Sequence, residues 1–317
     1  MKEAVSTIQL EKITQDFIDK LQAAGGPPIY KLSPNDARAL LEKVQSEPIE
    51  MPAVQRDDLQ IPGIADPISV QIVRPADSVD VAVPIIFYLH GGGWILGSQK
   101  THARLTAELS AGTKSAVVFI NYTLSPEAKF PSSIEESFTA AKYIVDHAEE
   151  YHLDPTKISI AGDSVGGNMA IALTQLALSS KALQIDKLLL FYPVTDGAMS
   201  SNSYSRFADG PWLTKPAMEW FWNAYEPVET TRSDPLLSPV NAPLQLLSQF
   251  PPTLVITAKN DVLRDEGLAF ADKLLEAGAT VTAVCFEGTI HDFVMLNALA
   301  KTNATRGAIE MAIRFLS

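Results

Sequence analysis

Runs dense in Val, Ile and Leu recur along most of the chain, at 68–73, 84–90, 116–122, 157–161, 187–192, 253–258 and 280–286. Helical patterns fall between them, at about 102–112, 133–150, 165–180, 265–277 and 298–316. Nearly continuous apolar strands are those covered on both faces, and strands that alternate with helices join side by side through crossovers. The spacing therefore predicts an α/β fold, a mostly parallel, doubly wound central sheet with helices on both faces. In such sheets ligands sit at the carboxyl ends of the strands. The first strands are free to pair antiparallel.

Two stretches fall outside the alternation. Residues 6–24 place Ile8, Ile13, Phe17, Ile18 and Leu21 at helical spacing and stop at Gly25-Gly26-Pro27-Pro28, and a second helix is expected over 34–45 behind Ser33-Pro34. Residues 198–250 interrupt two strands with an aromatic-rich insertion carrying Tyr204, Phe207, Trp212, Trp220, Phe221, Trp222 and Tyr225. Any one ring can serve simply as an anchor, but together they suggest an apolar lid. The chain then divides into an N-terminal helical cap segment (1–55), a main α/β domain (56–197 and 251–317) and a cap or lid insertion (198–250).

Composition removes several function classes. With 37 acidic against 25 basic residues the net charge is -12, which repels a phosphate backbone, so nucleic acid is not an expected partner. Cys285 is the only cysteine, which rules out an internal disulfide, and no Cys-His set has zinc spacing. Its apolar, strand-like neighbours predict a buried, inert thiol. Residues 1–20 carry Lys2, Glu3, Glu11, Lys12, Asp16, Asp19 and Lys20 and lack the apolar centre of a secretory signal. No apolar run reaches the length of a membrane span. The expected setting is cytoplasmic, with no metal and no cofactor.

The chemistry begins at Ile158 to Asn168, where a strand, a tight turn and a helix start enclose Gly162-Asp163-Ser164-Val165-Gly166. A strained strand-to-helix turn projects the serine oxygen outward, and glycines two residues either side keep neighbouring backbone clear. This resembles the nucleophile turn of α/β-hydrolases. The run 84–90 leads into His90-Gly91-Gly92-Gly93-Trp94, the kind of glycine loop whose bare amides approach a developing oxyanion. Gly92, Gly93 and the Val165 amide are assigned to that hole. A phosphate cradle is disfavoured, because the spacing fits neither dinucleotide nor Walker patterns.

In α/β-hydrolases the order along the chain is serine, acid, histidine. Of His90, His102, His147, His152 and His291, only His291 follows Ser164, just past a strand, so it is the expected base. Asp261 is the first carboxylate after the run 253–258 and the first choice for the acid that orients the imidazole. Asp265 is its main rival, better suited to capping the next helix, and Asp196 is a third choice. His90 is expected to shape its own loop, and the other histidines to lie on the surface.

Together His90-Gly91-Gly92-Gly93, Gly162 to Asn168, Asp261 to Glu266 and His291 resemble the hormone-sensitive-lipase family of bacterial esterases. Tyr122-Thr123-Leu124-Ser125-Pro126-Glu127 and Ser233 to Pro239 also have counterparts there, so the similarity spans about residues 60–317. The resemblance implies a serine carboxylesterase acting on short- to medium-chain esters through an acyl-enzyme, under a cap built from N-terminal helices and an insertion. Trp94, Phe207 and Trp212 are the expected pocket residues. Two departures stand out: Val165 replaces alanine after the nucleophile, and Asp292 replaces a small residue after the histidine, where its charge would raise the histidine's pKa. The expected partner is a small-molecule ester, and a homodimer is compatible with the sequence. Alternatives are an amidase or arylformamidase on the same triad, or a non-catalytic binding protein, against which the presence of His291 argues.

Overall fold

The alternation becomes a single sheet in the computed structural model, which describes residues 8–78 and 81–317. Among the described residues eight strands pair: β1 (Val54–Ile61), β2 (Ile68–Pro75), β3 (Val83–Leu89), β4 (Ala116–Asn121), β5 (Leu153–Asp163), β6 (Lys187–Phe191), β7 (Thr253–Asn260) and β8 (Val281–Ile290). Their order is β1-β2-β4-β3-β5-β6-β7-β8. β1 runs antiparallel to β2 and β2 to β4, and every later pairing is parallel.

Helices cover both faces: α3 (Ala103–Thr113) and α10 (Asn303–Leu316) pack together on one, and α4 (Ser132–Asp146), α5 (Val165–Ser180) and α9 (Arg264–Glu276) lie on the other. The residues Ile85–Leu89, Val117–Ile120 and Leu188–Tyr192 are buried, which explains their unbroken apolar runs. Helix α5 is buried over most of its length and is apolar nearly all round.

The sequence did not announce β1. It reads Val-Gln-Arg-Asp-Asp-Leu-Gln-Ile, polar on both faces, because it is an edge strand with β2 as its one neighbour in the sheet. Arg56 gives the strand a specific hold, donating to Gln71 Oε1 and to the Ala103 carbonyl. At the opposite edge, β8 runs to Ile290, past the expected end at 286. Cys285 is therefore half-buried on an edge strand, not enclosed as its apolar neighbours implied.

Before the sheet come α1 (Lys12–Ala24) and α2 (Pro34–Val44). The expected helix start at residues 6 and 7 lies outside the described residues, and 8–11 are not helical. Both helices are tied to the carboxyl ends of the strands or to the loops that follow them. The Glu11 N–H donates to the Gly288 carbonyl, and Gln45 Nε2 donates to the carbonyls of Thr101 and Met295. Arg38 of α2 grips Glu127 through both terminal guanidinium nitrogens, at 2.8 and 2.7 Å, and also donates to the carbonyls of Ile95 and Ser125. Those hydrogen bonds hold the Glu127 carboxyl below its usual range.

The insertion between β6 and β7 folds into α6 (Asn202–Arg206), α7 (Lys215–Tyr225) and α8 (Leu244–Leu247). It is anchored by Asn168 Nδ2, which donates to the Leu237 carbonyl, and by the Ser203 hydroxyl, which donates to the Val262 carbonyl.

Candidate active site

Three chain segments leave the sheet at the same end, and each carries one of the candidate groups. Ser164 follows β5, Asp261 follows β7 and His291 follows β8. Ser164 has φ of 56°, the left-handed region that a non-glycine residue enters only when its surroundings impose it. What imposes it is contact: a Cβ on Gly162 would lie 2.3 Å from the Gly166 carbonyl oxygen, and one on Gly166 would lie 2.0 Å from that of Leu89. Strand, turn and helix can approach this closely only through bare backbone.

His291 Nε2 is 2.9 Å from Ser164 Oγ, and His291 Nδ1 is 2.7 Å from Asp261 Oδ2. The other Asp261 oxygen accepts the Leu263 N–H. All three side chains are nearly or wholly buried. Burial opposes the imidazolium, but the charges of Asp261 and Asp292, with the Asp261 hydrogen bond, outweigh it, and His291 is pushed up to about 9. Tyr192, at the end of β6, packs edge-on against the imidazole with ring centroids 4.8 Å apart. Neither rival acid reaches the histidine. Asp265 does not cap α9 but accepts the Ser203 N–H and a bond from Arg264, and Asp196 accepts the Ala198 N–H.

The glycine loop is pinned from below by a group the sequence reading passed over. Asp163, beside Ser164 and wholly buried, accepts hydrogen bonds through Oδ1 from the Tyr88 hydroxyl (2.7 Å) and the Gly91 N–H (3.0 Å). Its Oδ2 lies 3.2 Å from His102 Nε2. Burial works against the Asp163 charge, and these partners outweigh it and hold the carboxyl below its usual range. His102 is thus buried in the loop's foundation, not on the surface as expected. His90 does shape its loop: Nδ1 lies 2.8 Å from the Gly91 carbonyl, and its ring stacks on Tyr122. Burial, then the nearby His102, pushes His90 down to about 3. Gly93 (φ 64°) approaches the Phe221 ring so closely that a Cβ would sit 2.1 Å from it.

Residues 86–295 match the profile of the alpha/beta hydrolase fold. The chain belongs to that family. Within it, this α/β-hydrolase is of the hormone-sensitive-lipase type. It is 36% identical over 309 residues to an esterase of Gibberella moniliformis, covering 96% of each chain. It is 33% identical over 264 residues to the carboxylesterase NlhH of Mycobacterium tuberculosis, covering 81% of each. The crystal structure of a thermostable esterase from Pseudomonas putida superposes with a TM-score of 0.95 at 38% identity, over 98% of this chain and 99% of that one. With its fold, its relatives and its Ser–His–Asp contacts, the hydrolase is a serine esterase.

The three aromatic pocket candidates of this hydrolase occupy different surroundings. Trp94 is buried, stacked on Tyr225 at 4.3 Å and tilted against Trp222 at 4.7 Å. Phe207 is also buried, with the guanidinium groups of Arg206 and Arg264 over its ring. Trp212 is half-buried and donates through Nε1 to Asp292 Oδ2. Trp212 thereby touches the residue that follows His291, and Phe207 touches Arg264, whose N–H donates to the Asp261 carbonyl. Among the described residues, no helix is long and apolar enough to cross a membrane.

Proposed function

We propose that Ser164, His291 and Asp261 are the nucleophile, base and orienting acid of this serine esterase, and that it cleaves short- to medium-chain carboxylic esters. The observation that carries the assignment is the unbroken contact from Ser164 Oγ through both imidazole nitrogens to Asp261 Oδ2. Ser164 Oγ attacks the ester carbonyl while its proton passes to His291 Nε2, and Asp261 holds the Nδ1 tautomer and stabilises the imidazolium. The amides of Gly92, Gly93 and Val165 receive the oxyanion. The Nε2 proton then goes to the departing alcohol, and water, deprotonated by the same nitrogen, cleaves the acyl-enzyme.

The substrate range is supported by the likeness to the hormone-sensitive-lipase family and by a Pseudomonas putida relative named ethyl acetate hydrolase, 32% identical over 226 residues. Residues 1–55 and 198–250 serve as the cap, a role supported by the ties of α1, α2 and the insertion to the carboxyl ends of the strands and the loops that follow them. Trp94, Phe207 and Trp212 line or support the acyl pocket from that cap and the glycine loop. p-Nitrophenyl esters from acetate to palmitate are expected to show a maximum near butyrate. Faster turnover of emulsified triolein than of the butyrate ester would reject the short-chain reading. An anilide of the same acid, compared with its phenyl ester, separates esterase from amidase.

A homodimer formed along the edge of β8 is supported by that strand's position at the end of the sheet and by exposed Thr282 and Ala283 upon it. Sedimentation equilibrium is expected to give twice the chain mass, and a single-chain mass at micromolar concentration would reject it. A cytoplasmic setting accords with the lone cysteine, which permits no internal disulfide.

A further inference from the structure

The insertion reaches the base through one side-chain hydrogen bond. Trp212 Nε1–H donates to Asp292 Oδ2 at 2.9 Å, and Asp292 Oδ1 stands 3.3 Å from His291 Nε2, the nitrogen that faces Ser164. Only 16% of the Asp292 side chain is exposed, so each oxygen spends its charge on a neighbour more than on solvent. The Trp212 ring also rests against Phe17 of α1, with centroids 5.6 Å apart, so both segments that precede or interrupt the sheet converge on this contact. Asp292 has φ of 64°, a conformation in which a side chain is strained and glycine is at ease. The chain accepts a carboxylate there, aimed at the nitrogen that must give and take the proton.

We propose that Asp292 is a positioning residue for the base, a second carboxylate that Trp212 holds against His291 Nε2, and that it ties the basicity of His291 to the seating of residues 198–250. The proposal rests on His291 being the base. Asp261 acts on Nδ1 and fixes the tautomer, whereas Asp292 acts on the opposite nitrogen. A negative charge there stabilises the protonated ring. Protonated Nε2 cannot accept the Ser164 proton, so the working, neutral base is reached only at higher pH, and the acidic limb of the rate profile lies correspondingly high. The raised value of His291 agrees with this, Asp292 being the second charge after Asp261 that opposes the effect of burial. The remaining groups around the imidazole are Asp163 at the end of β5 and Tyr192 at the end of β6. Both persist when Asp292 is altered.

The test is the pH profile of kcat/KM for p-nitrophenyl butyrate in Asp292→Asn, which keeps an acceptor for Trp212 but removes the charge. The acidic limb is expected to move about one pH unit lower. Asp292→Gly, which suits the positive φ, should show the same shift and covers the case in which the asparagine variant does not fold. Trp212→Phe removes the donor that favours ionised Asp292 and should move the limb in the same direction by less, but no further in the Asp292→Asn background. A limb unmoved in both Asp292 variants overturns the proposal. An equal Trp212→Phe shift with and without Asp292 overturns the link to the insertion. NMR titration of the His291 ring carbon in Ser164→Ala protein, with and without Asp292→Asn, reads the same change without turnover. It separates the two failures: hydrolysis that survives Ser164→Ala rejects the triad, whereas an unchanged His291 titration rejects Asp292 alone.

Discussion

Ser164→Ala is expected to lower kcat for p-nitrophenyl butyrate by about ten-thousandfold to a millionfold, with KM changing far less. The geometry leads to this expectation because Ser164 Oγ is the atom in hydrogen-bond contact with His291 Nε2, and alanine leaves the imidazole facing a methyl group that it cannot activate. The low end corresponds to a barrier raised by about 5 kcal/mol. The fold should tolerate the change, since alanine takes the same positive φ as serine and the turn is held by Gly162, Gly166 and the Asn168 bonds to Val194 and Leu237. Rate loss is therefore to be measured beside the circular dichroism spectrum and thermal midpoint. A folded variant that retains a tenth of wild-type activity would remove Ser164 from the mechanism.

Asp261→Asn is expected to cost about a thousandfold to ten-thousandfold in kcat, and Asp265→Asn less than about tenfold. Asp261 Oδ2 accepts from His291 Nδ1 at 2.7 Å, and an amide nitrogen in its place would favour the wrong imidazole tautomer, with the proton on Nε2, where Ser164 needs an acceptor. Asp265 faces away, bound to the Ser203 N–H and to Arg264, so its loss loosens the attachment of α6 without touching the imidazole. The measurement is kcat for both variants above pH 8 with folding verified. Comparable losses, or the reverse ranking, would reassign the acid. Glu266, the next residue of α9, is a control: it is buried, accepts the Thr195 N–H, and is pushed well above the usual carboxyl range by burial. Its role is to join the end of β6 to α9.

Much of the chemistry was legible because it depends on local backbone. A serine in a positive-φ turn needs glycines at fixed offsets, and an amide loop beside it needs bare backbone, so Gly162-Asp163-Ser164-Val165-Gly166 and His90-Gly91-Gly92-Gly93 carry their geometry in their spelling. The alternating apolar runs were equally readable, since strands covered on both faces have no reason to be polar. β1 was not, because an edge strand can be polar on both faces and still pair. Cys285 misled for the same reason: its apolar neighbours read as an interior strand, and only the strand order puts them at the sheet's edge.

Other contacts depend on distance in space and leave no mark on spacing. His102 lies 61 residues from Asp163, in a helix-start sequence with no motif, and becomes part of the loop's foundation only because β3 and β5 are neighbours. Arg38 and Glu127, 89 residues apart, meet because α2 folds back over the strand ends. Trp212 was legible as an aromatic of the insertion, but its contact with Asp292 was not, since 80 residues separate the two. The sequence by itself determined the alternating α/β order and the local turns that carry Ser164 and the glycine loop, because both follow from dihedral and burial rules acting over a few residues. Tertiary structure alone decided which acid meets His291, that His102 is buried, and which residue of the insertion reaches Asp292, because those outcomes rest on strand order and on side chains brought together from distant parts of the chain.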